Sequence, residues 1–135
     1  MNFYENAEYW DGSAKDNYNM KRYRTSVYSS CLAVELYLKS VLSALDPNSD
    51  YIETHDVVNL YNIVSKKYLP SSDLSSVVRM TRKHLNESRY PLDDEIYDDK
   101  FAQEFIGYVN RIKNYVDNEC HVSYDDLRQK FTRRK

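Results

Sequence analysis

From Arg22 to Leu45 the chain reads RYRTSVYSSCLAVELYLKSVLSAL, 24 residues without a glycine or a proline. Val27, Cys31, Val34, Leu38, Val41 and Leu45 recur there at steps of four, three, four, three and four. Apolar side chains at that spacing share one face of an α-helix. Tyr28, Leu32 and Leu42 widen the stripe, so this helix needs neighbours on more than one side. A long helix covered from several directions restricts the chain to a helical bundle. Glu35 precedes Lys39 by four residues, the favourable order for an ion pair on one helical surface. The sequence alone reads that pair as local helix support.

The remaining segments fit the same architecture. Two glycines and three prolines in 135 residues are too few for the turns of an all-β fold. Phe3, Ala7, Trp10 and Ala14 predict a first helix over about residues 2–15, weakened at its end by Gly12. Asp46-Pro47-Asn48-Ser49-Asp50 stops the long second helix. Thr54 is the expected N-cap of a third helix, with Asp56 in its first turn and an apolar face of Val57, Leu60, Tyr61, Val64 and Tyr68. Ser71 or Ser72 is expected to cap a fourth, carrying Leu74, Val77, Val78, Thr81 and Leu85 and limited by Pro91. An acidic loop follows, containing Asp93, Asp94, Glu95, Asp98 and Asp99. A fifth helix runs from about Asp99 to Asn118, lined by Phe101, Phe105, Val109, Ile112 and Val116. Ser123 and Asp126 form a capping box that opens a short last helix. The prediction is an all-α, antiparallel up-and-down bundle of five helices, or six, over residues 1–135 as one domain. The second and fifth helices are central, and a basic tail spans 128–135.

Composition narrows the function classes. With 19 basic and 21 acidic residues the net charge is −2, so nucleic-acid binding requires a local basic patch. The two cysteines give neither a disulfide framework nor a paired-cysteine metal site. Cys31 reads as a small buried hydrophobe. No metal or cofactor is expected. The opening residues MNFYENAEYW lack a signal-peptide pattern, and no apolar run reaches membrane-span length, so the expected location is cytoplasmic. Fourteen tyrosines suit half-buried helix faces and interfaces, including that of a homodimer.

Chemistry concentrates in VVRMTRKHLNESRYP, residues 77–91. At ~100° per residue, Arg79, Arg82, Asn86 and Arg89 fall within about 80° of one another. Three planar guanidiniums and an amide on one ribbon can hold phosphate oxygens, and Tyr90 offers a platform for a base. The competing reading is a protein-binding face whose arginines pair with acids. His84 lies about 140° from Arg79, on the other flank of the apolar stripe. His55 and His121 read as structural or surface groups.

At these residues the chain resembles the HEPN family. CLAVELYLKSVL is similar to that family's A-x-E-x-x-LK-x-x-L core, THDVVNL to the opening of its third helix, and ESRYP to the RYP ending of one branch. A long apolar helix then follows, and the likeness covers about residues 3–117. The resemblance implies a helical bundle that binds nucleotide or RNA, often as a homodimer. It also implies genetic pairing with a small nucleotidyltransferase in a toxin–antitoxin or defence system. Many members are metal-independent endoribonucleases with an Arg-x4–6-His motif, which Arg79 and His84 match in count. The resemblance thus leaves three functions: a binder of nucleotide or single-stranded RNA through Arg79, Arg82, Asn86, Arg89 and Tyr90; an endoribonuclease using Arg79 and His84; or a non-catalytic partner of a nucleotidyltransferase. Catalysis by Arg79 and His84 requires either helix unwinding near Asn86-Glu87-Ser88 or a dimer that combines two copies.

Overall fold

A computed structural model describes residues 2–88 and 96–128. Among them are six α-helices, one 3-10 turn and no strand. The helices are α1 (Phe3–Asn19), α2 (Tyr23–Leu45), α3 (Val57–Lys67), α4 (Ser75–Glu87), α5 (Asp99–Asn118) and α6 (Tyr124–Leu127), with the 3-10 turn at Asp50–Glu53. The expected all-α bundle is the fold, and α6 is the short sixth member.

Helix α2 is the axis of the bundle. It packs against α1, α3, α4, α5 and α6. Val27, Cys31, Val34, Leu38, Val41 and Leu42 are all buried on it. Each fully buried Val or Leu contributes about 1.5–3 kcal/mol relative to exposure. The side of α2 toward α1 carries small residues, Ser26, Ser29, Ser30 and Ala33, all buried. Their size lets the two helices approach, and their hydroxyls do not go unpaired. The Ser26 hydroxyl donates to the Ala14 carbonyl at 2.7 Å, and the Ser13 and Ser29 hydroxyls meet at 3.1 Å.

Three boundaries differ from expectation, each for a local reason. Helix α1 does not end near residue 15. A side chain at Gly12 would meet nothing within 4 Å, so the glycine lies on an open face. Its cost of about 1 kcal/mol is outweighed by burial of Tyr4, Ala7 and Ala14. The turn into α2 falls later, at Lys21, which adopts left-handed geometry (φ 59°). The N-cap of α3 is Asp56 rather than Thr54, because the Asp56 carboxylate accepts from the N–H groups of Val58 and Asn59. Helix α4 begins at Ser75 and not after Ser71 or Ser72. Asp73 holds its first residue by accepting from the Ser75 N–H and hydroxyl at 2.9 and 2.6 Å.

The tyrosines divide between core and surface. Tyr4, Tyr37, Tyr61, Tyr97 and Tyr115 are buried. Their phenols join elements: Tyr4 donates to Asp117 at 2.6 Å, Tyr37 to Asp11 at 2.9 Å, and Tyr115 to the Tyr68 carbonyl. The Tyr61 oxygen accepts from the Leu74 N–H at 3.1 Å, fastening α3 to the entry of α4. Tyr9, Tyr51 and Tyr124 are exposed. Arg128, the first residue of the expected basic tail, is docked: it pairs with Glu8 at 2.8 Å and lies over the rings of Tyr4 and Tyr124. The rest of that tail lies outside the described residues.

Candidate functional site

Helix α4 is strongly two-faced. Val77, Val78, Thr81, His84 and Leu85 are buried against the bundle. Arg79, Arg82 and Asn86 are exposed on the other side, as the helical period requires. Arg89 and Tyr90, the other members of the expected ribbon, lie outside the described residues. Acids of neighbouring segments frame the ribbon. Asp56, at the start of α3, has a carboxylate oxygen 3.7 Å from the Arg82 guanidinium. Asp73 is held below the usual carboxylate range by its Ser75 hydrogen bonds, with the Arg79 charge adding to them.

Behind Asp56 is a group that the sequence did not reveal. Glu35 and Lys39 of α2 do form the expected ion pair, at 3.3 Å. It is not surface support, because the two residues are only 3% and 5% exposed. The Glu35 carboxylate also lies 3.1 and 3.3 Å from Nδ1 of His55, whose side chain is 77% exposed. A buried charge pair on the central helix therefore ends in an imidazole at the surface, one residue before Asp56.

His84 is placed differently. It is 3% exposed, and its ring meets those of Tyr97, Phe101 and Phe105 at centroid distances of 5.9, 5.0 and 5.5 Å. Nδ1 lies 3.2 Å from the Tyr97 hydroxyl and 3.4 Å from Glu87. Helix α4 continues through Glu87, so Arg79 and His84 sit on opposite flanks of one regular helix. Burial lowers the His84 pKa from the ordinary value of 6.5, Glu87 opposes that shift, and Lys83 adds to it. An unfolded chain therefore takes up this proton at a higher pH than the folded one. The stabilisation is complete above about 6.5 and is lost as pH falls through the depressed folded value. The expected result is a urea midpoint that drops between pH 7 and 5.5, with His84→Leu flattening that part of the profile. An unchanged slope in His84→Leu would show that His84 is not the source of this pH dependence.

A second basic surface lies at the corner between α1 and α2. Lys21, Arg22, Tyr23, Arg24, Thr25 and Tyr97 line a groove of about 300 Å³. Arg24 reaches the carbonyl of Ser88 at 3.4 Å, which joins this corner to the end of α4. The run KRYR was its visible signal in the sequence.

A family model for the HEPN domain matches residues 1–119. The chain belongs to the HEPN family. No curated protein and no solved structure matches it. The HEPN match runs from α1 through α5, so the ribbon, the Glu35–Lys39–His55 group and the KRYR corner all lie inside the domain. No described helix of this HEPN domain is long and apolar enough to cross a membrane.

Proposed function

We propose that this HEPN domain binds single-stranded RNA or a nucleotide through the outer face of α4, with Arg79, Arg82 and Asn86 on the phosphates. The observation that carries the reading is the exposure of all three on one helical ribbon, opposite a face that is fully committed to the core. Guanidiniums there can approach phosphate without disturbing packing. Asp56 orients Arg82 from one edge but engages it at only 3.7 Å, a contact that a phosphate can replace. Arg89 and Tyr90 extend the same ribbon in sequence.

The endoribonuclease reading needs His84 to reach a ribose or a leaving oxygen. Its ring is enclosed by three aromatic side chains, so binding is the better-supported function. The family resemblance alone supports homodimerisation and pairing with a nucleotidyltransferase in a toxin–antitoxin or defence system.

The test is fluorescence anisotropy with a single-stranded oligoribonucleotide over a range of salt. Each phosphate contact on a single strand contributes about 0.7 to the slope of log K against log salt. Arg79→Ala/Arg82→Ala should therefore reduce the slope by roughly 1.4 and weaken binding more than tenfold at low salt. Intact helicity by circular dichroism shows that the loss is local. A double variant that binds like the parent would remove the ribbon from the site. Gel analysis of the same mixtures, incubated in chelator, reports cleavage directly.

A further inference from the structure

We infer that His55 is a further RNA contact, with Glu35 as its positioning residue and the ribose 2′-hydroxyl as its ligand; this rests on the ribbon being the phosphate-binding face. An ionised carboxylate can only accept hydrogen bonds. Glu35, drawn to the charge of Lys39, therefore takes the Nδ1 proton of His55 at 3.1 Å. In the uncharged form of the ring, that contact selects the tautomer with its proton on Nδ1 and leaves the Nε2 lone pair as an acceptor. The ring is anchored at Nδ1 and its side chain is 77% exposed, which gives a ligand access to it.

The surroundings indicate what this acceptor meets. His55 is followed by Asp56, whose carboxylate lies 3.7 Å from Arg82 on the ribbon. A strand with its phosphates on Arg79 and Arg82 would bring its sugars along this edge. The sugar group that donates a hydrogen bond there in RNA, and is missing in DNA, is the 2′-hydroxyl. The anchor is also costly to maintain. Two nearly buried charges are held on the central helix, where an apolar pair would pack without a desolvation penalty. Their outward product is one oriented imidazole beside the basic ribbon.

The experiment compares a single-stranded oligoribonucleotide with the deoxyribonucleotide of the same sequence, by anisotropy at low salt. The parent should prefer RNA. His55→Phe keeps a ring but removes the acceptor. It should lower RNA affinity about fivefold, the size of one ordinary hydrogen bond, and leave DNA affinity within about twofold. His55→Gln, which restores an acceptor, should recover part of the preference. Glu35→Met/Lys39→Met, checked for helicity by circular dichroism, removes the Nδ1 acceptor without leaving a buried charge and should reduce the RNA-to-DNA ratio as His55→Phe does. A purely structural carboxylate would leave that ratio unchanged. Equal binding of RNA and DNA by the parent, or a preference that survives His55→Phe, overturns this inference and leaves the ribbon standing. A parent that binds neither polymer overturns both.

Discussion

Lys39→Met is expected to destabilise the protein by roughly 3 kcal/mol, toward the lower end of the range for breaking a buried ion pair. The substitution keeps most of the apolar stem and removes only the ammonium. Glu35 then remains a nearly buried carboxylate on the most enclosed helix of the bundle. His55 moderates the loss, because its Nδ1 still supplies one donor at 3.1 Å. The measurement is urea unfolding of parent and variant at pH 7. The double variant Glu35→Gln/Lys39→Met removes both charges and should recover most of the loss, since an uncharged pair needs no such compensation. A single variant within about 0.5 kcal/mol of the parent, the spread of an ordinary surface substitution, would mean that water reaches Glu35.

Phe105→Ala should have the larger effect, about 3–5 kcal/mol. Phe105 is 1% exposed and stacks on Phe101 at 5.0 Å, with Tyr108 at 4.9 Å and His84 at 5.5 Å. It closes the second part of the core, where Val27 and Cys31 of α2 meet Leu85 of α4 and Ala102 of α5. Truncation removes the ring and leaves a cavity that the rigid helices cannot fully collapse. The loss is a large share of a net stability of about 5–15 kcal/mol. The lost ring also covers His84, so the fall in stability below pH 6.5 should become shallower than in the parent as that burial is reduced. A loss under about 1 kcal/mol would show that this end of the bundle is loosely packed.

Most of the fold could be read from the residues because its signals are periodic. The stripes on α2, α3 and α5 locate those helices, and the same 100° step separates the Arg79, Arg82 and Asn86 face of α4 from Val77, Val78 and Leu85. Helix ends were less legible because they depend on competition between neighbours. Thr54 and Asp56 can each cap, and the choice of Asp56 comes from backbone geometry that no single residue encodes. Gly12 weakens a helix in isolation, but tertiary burial of Tyr4, Ala7 and Ala14 overrides it. The Glu35–Lys39–His55 group was illegible for a different reason. Its first pair has the spacing of an ordinary surface salt bridge, and only packing reveals that the pair is interior. His55 joins it from 20 residues farther along, through a corner whose path the sequence does not specify. For His84 the sequence showed an Arg-x4-His count, whereas its enclosure depends on Tyr97, Phe101 and Phe105 arriving from another segment.

The central place of α2 has a consequence for how the chain is made. Its seam is complete once Leu45 has been synthesised, yet the α5 residues that cover it extend to Val116. At a synthesis rate of ~5–20 residues per second, that covering helix appears several seconds later. Until α3 and α4 emerge, only α1, already joined to α2 through the serine contacts, shields the apolar stripe. The α1–α2 hairpin is thus the natural first folding unit, and the nascent chain beyond it presents an open hydrophobic groove of the kind that holdase chaperones recognise.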